Sequence, residues 1–323
     1  VSDFAVNRYV QIVPVKNTVG IWWKFEMDQR ARVTDVDFAR EVWADGSERP
    51  KLNDTGDYFS EKSYRTIRYA ESARIGKQAS EQASWGEIER RSREIAMRAM
   101  TRRTQRVLSK LTDSGDDDST HVANLGTPGS IAGVTGNWAG STSARQTIKR
   151  TLGHIQNLIT LDTNAAVSDE DFMLIMSPDT ARQIAPTQEI VEMIKQSETG
   201  IKWLEGKELG KRPGYGLLPR LYDYEVVIEK TVKVTSRRGI VTPTRSYVLP
   251  LGTVICVARP GSLEGVEGGR SFSTVTMHIY RDDDMKLERN DDNWNRLTEI
   301  SVVDNFDVSM TANVTGYLLT NVV

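Results

Sequence analysis

Cysteine is nearly absent from this chain. Cys256 is the single cysteine among 323 residues, so no disulfide can form within the chain, and folding in a reducing compartment is the natural expectation. Histidine is almost as scarce: only His121, His154 and His278 occur, and no two stand at metal-ligand spacing. Long apolar runs are missing too. None approaches the roughly 20 residues that a membrane-crossing helix needs, so no membrane partner is expected. No secretory leader is visible at the start. Val1 opens the sequence in place of methionine, which suits a processed end and a literally translated alternative start codon equally. A strong net charge is also lacking. The chain has 42 Lys and Arg against 44 Asp and Glu, a formal net charge of -2. That balance argues against a simple nucleic-acid binder, whose domain is usually strongly basic.

The familiar catalytic signatures are lacking as well. Five residues separate Gly200 from Gly206 where a phosphate loop needs four, and Glu208 stands where the Mg-binding hydroxyl belongs. No Gly-x-Gly-x-x-Gly follows a strand, and no Gly-x-Ser-x-Gly elbow occurs. Cys256 sits in Val-Ile-Cys-Val-Ala, which reads as a small buried hydrophobe rather than a nucleophile. His154 lies off the apolar stripe of its helix, and His278 points away from Val275, Met277 and Ile279. All three histidines therefore read as surface or interface residues. The acidic runs at 116–118, 282–284 and 291–292 lack the spaced ligands and glycine of a calcium loop and read as solvated turns. No catalytic residue, cofactor or metal ligand is predicted, and the chain is expected not to be an enzyme. A soluble α+β enzyme with residues 199–220 as a lid is the alternative of another class.

What the chain does have is an unusual order of segments. Residues 1–40 hold short apolar pieces among turns and charges. The adjacent Trp22 and Trp23 would face opposite sides of a strand, which suits an arm lying between other elements. From Trp43 onward come the turn signals Asp45-Gly46, Pro50, Asn53-Asp54 and Thr55-Gly56. Residues 58–71 are rich in aromatic and β-branched types, yet charges fall on both alternating faces. A two-stranded ribbon of that kind is marginal alone. Tyr58, Phe59, Tyr64, Ile67 and Tyr69 are costly to leave in water. The segment 41–84 is therefore read as a projecting hairpin whose apolar groups pack on another subunit.

Residues 87–111 contain no glycine or proline and predict one helix about 37 Å long at 1.5 Å per residue. Ile88, Ser92, Ile95 and Ala99 make one stripe. Met97, Met100, Thr104, Val107, Leu108 and Leu111 make another, turned partly round the axis, so the two ends meet different partners. Glu87, Glu89 and Glu94 lie in the first half. Arg98, Arg102, Arg103, Arg106 and Lys110 leave the second half purely basic, which suits the helix dipole. Arg102 and Arg106 are expected to bind carboxylates within or between subunits, with DNA phosphates a minor partner.

An irregular loop rich in Gly, Ser, Thr and Asp is expected at 113–142. A helix over 144–161 would bury Ile148, Leu152, Ile155 and Ile159. Residues 172–176 read as a buried strand, and Ser177-Pro178 as the start of two short helices broken at Pro186. Residues 224–234 read as one strand with Tyr224, Val226, Ile228, Val232 and Val234 on one side. Strands near 246–258, 272–281 and 297–322 complete an α+β chain with a mainly antiparallel C-terminal sheet.

In this order the chain resembles the major capsid proteins of tailed phages, with the Hong Kong 97-type fold. Ile21-Trp-Trp-Lys-Phe-Glu-Met and the polar ribbon through 84 look like that family's arm and extended β-hairpin loop. Residues 87–111 look like its long spine helix. Phe172-Met-Leu-Ile-Met-Ser-Pro-Asp-Thr-Ala-Arg-Gln-Ile and Glu189-Ile-Val-Glu-Met-Ile-Lys are similar to its axial domain. The resemblance implies an N-terminal arm at 1–40, an extended loop at 41–84, and a spine helix with the first part of a peripheral domain at 85–143. It implies an axial domain at 144–244 and return strands of the peripheral domain at 245–323. It further implies a structural protein that self-assembles, through pentamers and hexamers, into an icosahedral shell. Packaged double-stranded DNA would be held without sequence specificity, in a virion assembled in the host cytoplasm. A separate scaffolding protein, or a piece already removed, and a portal are implied partners. Some members crosslink lysine to asparagine, for which Lys51, Lys62 and Lys77 and Asn290, Asn293 and Asn295 are the candidates here. An encapsulin-like compartment shares the fold and is the nearest alternative.

Overall fold

Two runs, Phe172–Met176 and Val254–Ala258, are apolar at every position and buried at every position. Such strands need cover on both faces, and that need organises the chain. The computed structural model describes residues 4–25, 59–82, 86–113, 115, 121–163, 167, 171–195, 217–237, 239–261 and 273–323. Tyr58, the acidic run 116–118 and most of the 199–220 segment lie outside the described residues.

The order begins α1 (Val6–Tyr9), β1 (Gln11–Val15), β2 (Val19–Phe25), β3 (Phe59–Arg65), β4 (Ile67–Gly76), α2 (Lys77–Gln82) and α3 (Glu87–Leu111). It continues with β5 (Val122–Asn124), α4 (Thr147–Asp162), β6 (Phe172–Met176), α5 (Pro178–Ile184), α6 (Gln188–Lys195), β7 (Arg220–Leu221), β8 (Tyr224–Ile228), β9 (Val232–Val234) and β10 (Arg245–Tyr247). It ends with β11 (Val254–Ala258), β12 (Val275–Tyr280), β13 (Lys286–Asp292), β14 (Leu297–Met310) and β15 (Tyr317–Thr320).

A six-stranded sheet has the order β5-β15-β11-β6-β8-β7. Successive side chains of its central strands enter different cores. Phe172, Leu174, Met176, Cys256 and Val226 join Ile148, Leu152, Ile155 and Ile159 of α4 and the apolar sides of α5 and α6. Met173, Ile175, Ile255, Val257 and Val227 face the other way, toward Met100, Val107, Leu108 and Leu111 of α3 and Tyr9 of α1. A five-stranded sheet completes that second core through Val275, Met277, Ile279 and Phe306. In it, β14 is flanked on one edge by β13 and β12 and on the other by β4, which pairs with it from Leu297↔Gly76 to Phe306↔Ile67. The 245–323 segment thus gives β11 and β15 to one sheet and β12, β13 and β14 to the other.

The helix expected at 87–111 spans Glu87–Leu111. Its stripe is altered at two points: Met97 is exposed, and Arg103 is buried with only 4% of its surface accessible. Arg103 Nε donates to Asp304 Oδ2 at 2.9 Å, and its Nη2 reaches Asp304 Oδ1 at 2.6 Å and Asp284 Oδ1 at 2.7 Å. Burial works against its charge, but the bonds and charge of Asp304 and Asp284 outweigh this and hold the guanidinium above its ordinary range.

Other expectations shift at breaks. Residues 224–234 form two strands, because the buried Glu229 carboxylate accepts from Thr231 N at 3.1 Å and Thr231 Oγ1 at 2.5 Å and turns the chain. Val232 and Val234 therefore leave the core. The strand expected at 246–258 is likewise broken by Pro250 and by Gly252, whose φ is +75. Residues 297–322 split at a short turn over Asn313–Thr315. Gln146, left-handed at φ 48, delays the start of α4 to Thr147.

Replacing Arg103 by Met would leave the Asp304 carboxylate buried without its cation, a change that costs about 3–5 kcal/mol in comparable pairs. Urea unfolding of the unassembled chain is expected to show a markedly lower midpoint for Arg103→Met. The double change Arg103→Met with Asp304→Leu is expected to recover much of that loss.

Candidate assembly surfaces

Among the described residues, Tyr64, Ile67, Tyr69, Arg102 and Arg106, singled out from the sequence, fall around one seam, where the β3–β4 segment meets α3 and the five-stranded sheet. β3 does not pair with β4. It pairs antiparallel with β2, from Val19↔Arg65 to Phe25↔Phe59, which places Phe59 opposite Phe25. The expected ribbon is thus built from 19–25 and 59–65, with β4 bound to β14 instead. Tyr64 is packed within its own chain. Its ring lies parallel to that of His278, with centroids 4.5 Å apart and 3° between planes. Gly20 lies opposite it in the register, and a Cβ there would overlap the Tyr64 ring. Glycine is required at this crossing. Asp307 Oδ2 accepts from Arg65 N at 3.0 Å and fixes the same corner.

Along β4 the residues alternate between solvent and α3. Ile67 is exposed. Tyr69, Ala73 and Ile75 turn toward the sheet and helix. Arg106 lies over the Tyr69 ring at 3.5 Å, and Tyr69 packs on Phe306 with centroids 5.3 Å apart. Such a cation–ring contact contributes about 0.5–2 kcal/mol. Arg102 pairs with Glu71 of the same strand. Arg68 holds Asp283 through bonds of 3.0 and 2.6 Å. Tyr64, Tyr69, Arg102 and Arg106 therefore have partners within the chain, although the Arg102 side chain remains largely exposed, and Ile67 faces solvent.

The chemistry elsewhere is structural. His121, read as a surface residue, is buried: its ring nitrogens lie 2.8 Å from the Gly316 carbonyl oxygen and 2.8 Å from Asp162 Oδ2. His278 is also buried, on the side of β12 opposite Val275, Met277 and Ile279, because Tyr64 covers it. Burial pushes the Cys256 thiol well above its ordinary value, against a weaker opposing bond from Tyr224. Asp283 and Asp284 are occupied by Arg68 and Arg103. Among the described residues, no group of three or more His, Cys, Asp or Glu is placed to hold a metal ion. Among them, too, no helix is long and apolar enough to cross a membrane.

One surface feature has no sequence expectation behind it. Trp294, at the turn between β13 and β14, is 93% exposed. Asp292 holds that turn, accepting from Trp294 N at 2.9 Å, Asn295 N at 3.1 Å and Asn295 Nδ2 at 2.6 Å. An exposed tryptophan is of the residue type enriched at interface hot spots. The sequence signal was a tryptophan isolated among turn-forming polar residues at 290–296.

The arrangement is that of the Hong Kong 97-type capsid fold. No family model matches the sequence, and no curated protein matches it. Solved structures do match it. A phage-related protein from Bordetella bronchiseptica RB50 is 13% identical, with a TM-score of 0.63 over 100% of this chain and 93% of that one. The capsid of cyanophage P-SCSP1u is 10% identical, with a TM-score of 0.57 over 98% of this chain and 88% of that one. The capsid of Ralstonia phage GP4 is 9% identical, with a TM-score of 0.57 over 96% and 86%.

Burial lowers the tendency of His278 to take a proton below that of an ordinary histidine near 6.5, with Asp307 acting more weakly the other way. The unfolded chain then binds that proton more readily than the folded one. The stability from the Tyr64–His278 seam is intact above about pH 6.5 and falls as pH drops through and below it. The urea midpoint is expected to fall from pH 7 to pH 5, and to fall less in His278→Phe, which keeps a ring under Tyr64 but cannot be protonated.

Proposed function

We propose that this chain is the building block of a viral capsid shell. The observation that carries the reading is the match of nearly the whole chain, 98% of it, to 88% of a phage capsid protein. Function follows from surfaces in such a fold, not from a catalytic cleft. Large apolar groups left in water, among them Trp294, Val241, Leu251, Ile21 and Val19, support an assembling subunit.

In this reading α3 is the spine helix, and the six-stranded sheet with α4, α5 and α6 is the axial domain. The five-stranded sheet with β4 is the peripheral domain. The arm is residues 1–40 and the extended loop residues 41–84, and the β2–β3 ribbon pairs a strand of each. Pentamers and hexamers tile an icosahedral shell, and repetition of modest contacts makes the whole stable. The shell encloses double-stranded DNA without reading its sequence, in a virion assembled in the host cytoplasm. A separate scaffolding protein and a portal complete the set of partners. The chain carries out no catalysis.

Expression of the full chain, with scaffolding supplied where needed, is expected to give closed particles of megadalton mass in electron micrographs. A monodisperse monomer or dimer under every assembly condition would refute the reading. DNA inside particles from the natural source distinguishes a virion from a compartment that holds protein cargo. Trp294→Ser is expected to leave the melting temperature of the unassembled chain unchanged and to lower particle yield roughly tenfold, the effect of losing one modest interface anchor.

A further inference from the structure

β9 and β10 form a two-stranded sheet that joins neither larger sheet. Their register pairs Val234 with Arg245, Lys233 with Ser246 and Val232 with Tyr247. Directly opposed residues share a face and neighbours along a strand alternate. Val232, Val234, Arg245 and Tyr247 therefore share one face, and Lys233 and Ser246 the other. The apolar face is uncovered: Val232 is 45% exposed and Val234 57%. At the connection Ile240 is exposed, and Val241 is 99% exposed.

The base of this hairpin is held firmly. Glu229, itself buried, accepts from the Tyr9 hydroxyl at 3.0 Å and from Thr231 N at 3.1 Å. Val248 N donates to Thr231 O at 2.9 Å, and Val248 and Leu249 enter the second core. The root is ordered by the interior while the valine face has no cover in its own chain among the described residues. An isolated two-stranded hairpin is marginal in water, so this one is built to be completed by a partner.

Charge identifies the partner. Residues 230–250 carry five Lys and Arg and no Asp or Glu, in a chain whose net charge is -2. The rest of the chain is therefore net acidic. The remainder of a second copy is opposite in net charge to the hairpin, and the apolar content of the face suits protein rather than a phosphate backbone, which would be gripped by charge alone. We propose that the β9–β10 hairpin of one copy docks its Val232, Val234 and Tyr247 face on the acidic body of a neighbouring copy. Arg237 and Arg245 lie at the rim of that contact. Each copy gives one hairpin and receives one. The contact is thus heterologous, and it closes into a ring when the rotation between copies closes. This deepens the shell reading by assigning a contact within its capsomers.

Zero-length carbodiimide crosslinking of particles, followed by mass spectrometry, tests it. Lys230 and Lys233 are expected to join Asp or Glu of another copy, shown by mixing heavy- and light-isotope chains before assembly. Val232→Ser with Val234→Ser is expected to reduce assembly roughly tenfold, with an unchanged melting temperature for the unassembled chain. Val241→Ser, at a position almost wholly in solvent, gives the same reading without any folding question. Arg237→Gln with Arg245→Gln is expected to weaken assembly most at low salt. Normal assembly of the valine variants with crosslinks only inside one chain overturns the proposal. Normal assembly with impaired DNA retention also overturns it and makes the hairpin a nucleic-acid contact. If the chain forms no shell, sedimentation separates the two ideas. Small rings lost in the valine variants sustain the docking contact while the shell reading fails, and a monomer without intermolecular crosslinks ends both.

Discussion

The buried guanidinium of Arg103 is the constraint on which the rest of the structure depends. It sits on the core side of α3 and donates three bonds to Asp304 and Asp284, which belong to β14 and to the turn before β13. A charge this deep costs several kcal/mol to desolvate, so the pair is not a large net source of stability. Its value is geometric. An apolar stripe alone lets a helix slide or rotate on a sheet with small loss. A planar fork that must meet two carboxylates permits one position along the axis and one rotation. With Arg103 fixed, Arg102 falls at Glu71 and Arg106 falls over Tyr69. The helix is thereby registered against β4 as well as β14.

That registration explains a layered chain with two cores. The six-stranded sheet is covered by α4, α5 and α6 on one side. On its other side lie the C-terminal half of α3 and the five-stranded sheet. The N-terminal half of the same helix packs elsewhere, with Ile95 and Ala99 on Ile75, Ile300 and Val302. One helix therefore ties two sheets together, and its stripe rotates along its length because its two ends face different layers.

Much of this was legible in the sequence, and the rest was hidden for physical reasons. A stretch free of glycine and proline gave the bounds of α3 directly, and Ser177 before Pro178 marked a real cap, accepting from Thr180 N at 3.4 Å. β4 was read as polar on both faces and so as free of its own core. The inward face in fact includes Glu71, which is polar because an arginine of α3 meets it there. β13, Lys-Leu-Glu-Arg-Asn-Asp-Asp, has no apolar alternation to find, since among the described residues it is paired along one edge only and it is exposed along most of its length. The break after Ile228 was invisible because it depends on a carboxylate buried by a residue more than two hundred positions away, Tyr9. Trp294 and the exposed valines of β9 could not be told from core residues by type alone. Only burial separates an apolar side chain that is finished from one that awaits a partner.

The same accounting bears on what the basic half of α3 does. Five positive charges in a row of turns would suggest a surface for nucleic acid. Within the chain, however, Arg98 pairs with Glu94, Arg102 with Glu71, Arg103 with Asp304 and Asp284, and Arg106 with the rings of Tyr69 and Phe306. Each guanidinium already engaged by a carboxylate or ring must give up that partner before it can replace a counterion on a phosphate, so its share of any backbone attraction is small. The charge of this helix is used to hold the fold in register.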